Sequence, residues 1–419
     1  VPAPIFLLIA FISSFVERAA ASDRNTCSEH RSRDDAMKDS RARAQASAAL
    51  SLLAVSMLTN PAGVLGATTP VIVTALVAEL GQTLRSANML VAIEFVTMTL
   101  AIMAAPLLLG RIGGRVLAIA SWMLMLAGQL GTILNIPVAL AVARGATGLG
   151  EGALYGLALA VLGRSTKPDR AFGVVVFANQ VVTAVLLALA GWAHQHDPRS
   201  GILQLITAFQ LVTGFFILAI DRQRVSSREP TPGSLGGLLV IAPALLAIFL
   251  FAIAFGTIWP LAASIGEIRN VPTGEINAAL AVAGIGGIAG AAAAVALGNR
   301  AGRTIPLLTG SVAMAIALVG VVVGPLAIAA PAVLFLWSFL VPYYLGTVAM
   351  MDGGARFMGI AGAMLPSGIA AGQFFASCMS GTIPSTLGIC AAMLQVASAI
   401  ALSFYLWMSK SDRRNRVGR

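Results

Sequence analysis

Glu94, Arg144 and Glu151 are the ionisable residues that fall deep inside long apolar stretches of this 419-residue chain. A charge at the middle of a hydrocarbon layer costs roughly 2.5–3.5 kcal/mol on insertion scales, so each needs a wet cavity or a partner. At about 100° per helical residue, Arg144, Gly148, Glu151 and Tyr155 stand at i, i+4, i+7 and i+11 and share one helix face. Arg144 and Glu151 are then about 10 Å apart along the axis, which makes Glu94 on a neighbouring helix the better partner for Arg144 by depth. Burial favours a neutral carboxyl group and a nearby guanidinium favours a charged one, so a solute binding at Arg144 would change the protonation of Glu94 or Glu151. That is the chemistry of a proton-coupled carrier. The alternative is a permanent Glu94–Arg144 pair that only holds two helices together. Uncharged candidates are Asn60, Asn179, Gln180, Trp259 and Gln373, all at or near the middle of such stretches. A lone amide there serves either an interhelical hydrogen bond or a ligand. The second half holds no deep charge, which assigns ion handling to the first half and shape and apolar contact to the second.

The stretches that must position these residues read as membrane spans. Hydrophobic residues make up 58% of the chain and charged ones 11%, with a mean hydropathy of +0.88. A soluble domain of this length has to cover itself with more polar surface. A helix needs about 20 predominantly apolar residues to cross a bilayer. Stretches of that kind lie near 48–72, 86–109, 115–134, 138–162, 172–193 and 201–220, and again near 237–262, 275–297, 304–326, 331–351, 357–381 and 385–408. The two sets of six are separated by the Pro/Ser/Arg segment from Asp221 to Ser234.

A net charge of +10 would suit a nucleic-acid binder in a soluble protein, yet the basic residues form no patch. With the segment before residue 46 in the cytoplasm, alternate loops and the tail collect Lys and Arg on that side. They are Arg111, Arg115, Arg164, Lys167, Arg170, Arg222, Arg224, Arg228, Arg300, Arg303, Arg356, Lys410, Arg413, Arg414, Arg416 and Arg419. Arg85, Arg199 and Arg269 fall opposite. The positive-inside bias predicts cytoplasmic termini and an even number of spans. Cys27, Cys378 and Cys390 show no paired spacing and read as small apolar fillers. His30, His194 and His196 lie outside the spans, so no intramembrane histidine metal site is expected. His194-x-His196 lacks a further ligand cluster, and no metal or cofactor is called for. Ile5 to Val16 followed by Ala19-Ala20-Ala21 superficially matches a signal peptide, but no positive charge precedes it. Cleavage there would also leave Arg24, Arg31, Arg33, Lys38, Arg41 and Arg43 on the far side. The sequence opens with Val, and Met37 begins a short basic tail before the first span. Residues 1–36 are therefore expected to be a mis-set start, with a partial thirteenth membrane segment as the alternative.

The loop after the second span reads Gly110-Arg111-Ile112-Gly113-Gly114-Arg115, and the loop after the eighth reads Asn299-Arg300-Ala301-Gly302-Arg303. One offset of 189 residues aligns Arg111 with Arg300 and Gly113 with Gly302, a parallel repeat. The same offset carries Tyr155 onto Tyr344, which would set two phenols across a pseudo-twofold axis to line a central pocket or gate. These loops resemble the D-R-x-G-R-R-like signature of the major facilitator superfamily and its fainter second copy. Arg144-x-x-x-Gly148-x-Gly150-x-Gly152 resembles that family's fourth-span element, and Lys167-Pro168-Asp169-Arg170-Ala171-Phe172-Gly173 its loop before the fifth span. The resemblance runs from about residue 46 to the end. It departs where Gly110 and Asn299 stand in place of the signature's acidic residue, and where Phe177-Ala178-Asn179-Gln180-Val181-Val182 replaces the Gly-Pro motif of drug/proton antiporters. Gly284-Ile285-Gly286-Gly287-Ile288-Ala289-Gly290 superficially matches a dinucleotide loop but lies mid-span, where glycines are expected to pack helices closely.

Spans and resemblance together predict an all-α membrane protein of twelve transmembrane helices in two pseudo-symmetric six-helix bundles. The bundles cover 46–221 and 237–409, joined by a cytoplasmic linker, 222–236, after an N-terminal extension, 1–45, and before a basic tail, 410–419. The expected function is secondary active transport of a small organic solute across the inner (plasma) membrane by alternating access. Arg111, Gly113, Arg115, Arg300, Gly302 and Arg303 would serve as cytoplasmic latches, or would only enforce topology. Arg144 as a cavity cation favours an organic anion moving with protons. The rival is proton-antiport efflux of drugs or amphipathic metabolites, with Glu94 or Glu151 attracting cations. An enzyme would need a catalytic cluster near one interface and a sensor an appended soluble domain, and neither is legible. The partners expected are the solute, protons and the lipid bilayer, without nucleic acid, in a functional monomer.

Overall fold

The structure, a computed structural model, describes residues 33–162, 168–217, 235–298, 300–351, 357–379 and 384–417. The segment 1–32 with Cys27 and His30, the residues Arg164, Lys167, Asn299 and Arg356, and Asp221 to Ser234 of the linker lie outside the described residues.

Twelve long helices account for nearly all of what is described. The first six are α1 (Arg33–Ala78), α2 (Leu84–Ile112), α3 (Gly114–Ile133), α4 (Pro137–Leu162), α5 (Pro168–His196) and α6 (Gly201–Ile217). The second six are α7 (Leu235–Ile258), α8 (Thr273–Leu297), α9 (Thr304–Val323), α10 (Leu326–Met351), α11 (Met358–Cys378) and α12 (Pro384–Val417). Ten of them are long and apolar enough to cross a membrane. Of the other two, α6 has 17 residues and α4 carries Arg144 and Glu151. Large apolar side chains such as Leu107, Val142, Phe215, Leu239, Ile328 and Ile400 point outward, which suits a surface solvated by lipid tails.

Several boundaries differ from expectation, among them the end of α12, which runs to Val417 through the basic tail. Helix α1 begins at Arg33, well before the apolar stretch near residue 48, because the Ala-, Arg- and Lys-rich residues upstream are good helix formers. The seventh span stops being α-helical at Ile258, where Pro260 has no N–H to give the preceding turn. A 3-10 turn, Trp259–Leu261, and a short helix, Ala262–Ile268, complete it.

The repeat governs packing. α2 lies on α4 as α8 lies on α10, α1 on α5 as α7 on α11, and α3 on α6 as α9 on α12. The two halves meet along α2–α11 and α5–α8, two seams that the repeat exchanges. Gly113 (φ 78°) and Gly302 (φ 67°), aligned by the 189-residue offset, make the corresponding turns in a conformation that favours glycine. Four glycines of α4, Gly145, Gly148, Gly152 and Gly156, lie along its seam with α2, and Gly150 packs on Ser121 and Met125 of α3. A side chain at Gly148 would strike the Glu94 carbonyl, one at Gly152 the Met98 carbonyl, and one at Gly156 the Ala105 methyl. Such backbone approach lets van der Waals contact hold helices in a medium with no hydrophobic drive between them.

Candidate functional site

The close α2–α4 seam brings the deep charges together. Arg144 Nη2 donates to Glu94 Oε2, and Nη1 donates to Gln129 Oε1 of α3 at 3.2 Å. Gln129 in turn donates through Nε2 to the Leu203 carbonyl of α6 at 3.3 Å. Two turns along α4, Glu151 Oε1 accepts from Gln210 Nε2 of α6 at 3.3 Å, and the Gln210 carbonyl accepts from Trp122 Nε1 of α3 at 2.8 Å. Glu94, Arg144 and Glu151 are all buried, and Glu151 feels the charges of the other two. Glu94 Oε1, Arg144 Nε and Glu151 Oε2 have no hydrogen-bond partner. The cluster thus sits inside the first half, enclosed by α2, α3, α4 and α6, with two carboxylates for one guanidinium.

A cavity of about 70 Å³ lies between the halves. Its walls include Gly63 and Gly66 of α1, Phe95 and Met98 of α2, Tyr155 of α4, Asn179 and Gln180 of α5, Trp337 and Ser338 of α10, and Pro366 of α11. Among the described residues that line it there is no Asp, Glu, Lys, Arg or His. Of the sequence candidates it holds Tyr155, Asn179 and Gln180; Asn179 Oδ1 accepts from Thr59 Oγ1 at 3.2 Å. Glu94, Arg144 and Glu151 are not among the lining residues; Glu94 is one residue from Phe95 and Glu151 one turn from Tyr155. Trp337 and Ser338 escape sequence reasoning because the repeat aligns them with Gly148 and Leu149, which carry no polar or aromatic group. The available signal was an aromatic and a hydroxyl side by side between Pro331 and Pro342 in mid-span.

Other candidates lie elsewhere. Trp259 crosses between the halves, its Nε1 donating to the Ala67 carbonyl of α1 at 2.9 Å. Asn60 is buried with Nδ2 on Met57 sulfur at 3.1 Å, and Gln373 of α11 is buried with neither amide atom partnered. Tyr344 does not face Tyr155 across the cavity. Its hydroxyl sits within the second half, 3.2 Å from Ser311 Oγ and 2.8 Å from Ser398 Oγ, and its ring stacks on Phe251. Arg111, in the last turn of α2, and Arg300 are exposed, while the Arg303 guanidinium packs over Gly346 of α10, inside its own half. At the opposite membrane face, Glu79 at the end of α1 accepts the backbone N–H groups of Ile202 and Leu203 at 2.8 and 3.2 Å and caps α6.

The sequence matches none of the curated proteins. The fold is similar to the crystal structure of the human organic anion transporter MFSD10 (TETRAN), with a TM-score of 0.62 and 13% identity over 84% of this chain and 98% of that one. At that identity the likeness concerns the fold alone. A family profile described as Major Facilitator Superfamily matches residues 47–401, which takes in ten of the helices whole and more than half of α1 and α12. With the duplicated loops, the exchanged seams between halves and this match in hand, the chain belongs to the major facilitator superfamily.

Proposed function

We propose that this membrane transporter moves a small organic solute by alternating access and couples the movement to protons through Glu94, Arg144 and Glu151. The observation that carries this reading is the charge count of the buried cluster. Two carboxylates beside one guanidinium are electrically neutral only when the cluster holds one proton, and an unbalanced charge in an apolar interior is strongly disfavoured. The helices that hold the cluster also line the cavity, α2 through Phe95 and Met98 and α4 through Tyr155. A solute that shifts those walls therefore alters the distance between Glu94 and Arg144, and with it the proton's place. In this reading the protein works as a monomer in the inner membrane. Both termini and the loops bearing Arg111, Arg115, Arg300 and Arg303 lie in the cytoplasm, as the positive-inside bias supports.

The solute's charge is a separate matter. Arg144 as a cavity cation would favour an anion, but its guanidinium is engaged by Glu94 and Gln129 behind a wall whose described residues are uncharged. That geometry supports an uncharged solute. An organic anion is the second reading, favoured by the name of the structural neighbour, and would require Glu94 to release Arg144. Uptake of organic acids, uncharged compounds and cationic amphiphiles into proteoliposomes, with the native protein and Arg144→Gln, separates these readings. Under the proposal Arg144→Gln still equilibrates an uncharged solute but no longer concentrates it with a pH gradient. Loss of downhill anion uptake supports the anion reading, and retained cation export supports antiport. Native proton coupling in both Arg144→Gln and Glu151→Gln would remove the cluster from the mechanism.

A further inference from the structure

We infer that Gln180, Gly287 and Ser338 form a notch in the cavity wall that takes the O–H or N–H group of an uncharged solute whose flat apolar body lies against Trp337. This rests on the transport reading above and names its substrate class. Gln180 of α5 and Ser338 of α10 both line the cavity and are 3% and 1% exposed. Gln180 Oε1 and Ser338 Oγ nevertheless have no hydrogen-bond partner, a condition rare for buried polar atoms unless a ligand or water supplies one. They come from opposite halves and converge at Gly287 of α8. A side chain there would collide with Gln180 Oε1 and begin 3.4 Å from Ser338 Oγ. The neighbouring glycines have another use: Gly284 packs on Ala184, Gly286 on the Pro331 backbone and Gly290 on the Phe335 backbone. Within that run Gly287 faces the two polar side chains, and its bareness lets the Gln180 carboxamide lie against α8 beside Ser338.

The chemistry of the notch selects its occupant. A carboxamide oxygen only accepts, and a serine hydroxyl can also accept, so the group that satisfies both is a donor. A carboxylate has no proton to give and a cation would find no counter-charge, since the lining is uncharged. Beside the notch, Trp337 stacks on Phe255 and Phe251 of α7, with ring centroids 4.0 and 4.9 Å apart, and presents an aromatic wall. At roughly 10–15 Å³ per water site, a cavity of about 70 Å³ has room for about five to seven waters, the bulk of a single substituted ring.

The test uses the full chain in nanodiscs, with protein-free nanodiscs as the partition blank, and measures saturable binding of radiolabelled benzamide, N,N-dimethylbenzamide, benzoate and benzylamine. Benzamide carries an amide donor, its dimethyl form carries none, and the last two are charged near neutral pH. Benzamide is expected to bind about tenfold more tightly than the dimethyl form, as one hydrogen bond supplies. Ser338→Ala and Gln180→Leu are each expected to narrow that preference to about threefold or less, and Gly287→Ala, whose methyl displaces the Gln180 carboxamide, to abolish it. Ser338→Ala removes a single oxygen and keeps the readout meaningful if Gly287→Ala does not fold. Absence of saturable benzamide binding, equal binding of the two amides, a preference unchanged in both polar variants, or tighter binding of either charged probe would each overturn the inference. A notch occupied by water alone gives the equal-binding result. Glu94→Gln and Glu151→Gln leave the notch intact, so a benzamide preference without solute-driven proton flux would sink the coupling reading and keep the notch.

Discussion

Arg144→Gln changes the proton count of the buried cluster in a way that stability measurements can read. In the native protein one guanidinium balances one carboxylate, and the neutral cluster holds one proton. Without Arg144 neutrality requires two protons; with Glu94→Gln, Arg144 and Glu151 balance each other and none is needed. Carboxylates of an unfolded chain titrate near about pH 4.3, so the unfolded state holds none of these protons between roughly pH 6 and pH 8. A folded state that binds more protons than the unfolded state loses stability as pH rises, by about 1.4 kcal/mol per extra proton and pH unit. The expected slopes are therefore about 1.4 kcal/mol lost per pH unit for the native protein, about 2.7 for Arg144→Gln and close to zero for Glu94→Gln. Removing one partner of a buried ion pair also costs about 3–5 kcal/mol, so Arg144→Gln is expected to be weaker by that order at neutral pH and to recover part of the loss in mild acid. Unfolding by SDS in mixed micelles, followed by tryptophan fluorescence across this pH range, gives the three slopes. Equal slopes, or a steeper one for Glu94→Gln than for Arg144→Gln, would refute the charge count.

Gly152→Ala places a methyl against the Met98 carbonyl in the α2–α4 seam, and this overpacking is expected to cost about 1–3 kcal/mol in the same unfolding assay, against a near-neutral change at the open Gly359. Trp259→Phe keeps an aromatic ring beside Phe255 but loses the Nε1 bond to Ala67. A bond worth about 0.5–1.5 kcal/mol shifts the population of forms separated on that side by about two- to tenfold. Spin labels at Ala78 and Ile268, on neighbouring helix ends, should report a longer distance component, and an unchanged distribution would exclude a role for the Trp259–Ala67 bond in holding the halves together on that side. Glu79→Ala leaves the Ile202 and Leu203 N–H groups uncapped at an expected cost of about 0.5–2 kcal/mol, with Glu79→Gln less damaging and amide exchange at those two residues faster.

The spans were legible because apolar length is a direct consequence of the bilayer, and the repeat because the Gly113 and Gly302 turns both need glycine's backbone freedom. The pairing of Glu94 with Arg144 followed from depth alone. What periodicity could not convey is which neighbour each level of a tilted helix meets. Arg144, Glu151 and Tyr155 share a face of α4, yet that face looks into the first half at Arg144 and Glu151 and reaches the cavity only at Tyr155. Depth arguments therefore placed the charges in the solute's path, whereas the packing of α3 and α6 encloses them. The repeat offset did not convey that the Tyr344 hydroxyl meets Ser311 and Ser398 inside the second half, whereas Tyr155 lines the cavity. The notch was invisible for a related reason: Gly287 looked like its packing neighbours until the two polar side chains around it were seen.

Reconstitution into liposomes that enclose a pH-sensitive dye brings the proton question to a decision. Solutes are added one at a time, the native protein is compared with Glu94→Gln and Glu151→Gln, and uptake of the radiolabelled solute is followed in parallel. Proton-coupled transport through the buried cluster predicts a solute-dependent pH change that the two variants lose while downhill solute exchange persists. Solute uptake by the native protein with no accompanying pH change would contradict it and leave Glu94 and Arg144 as a structural pair in a facilitator.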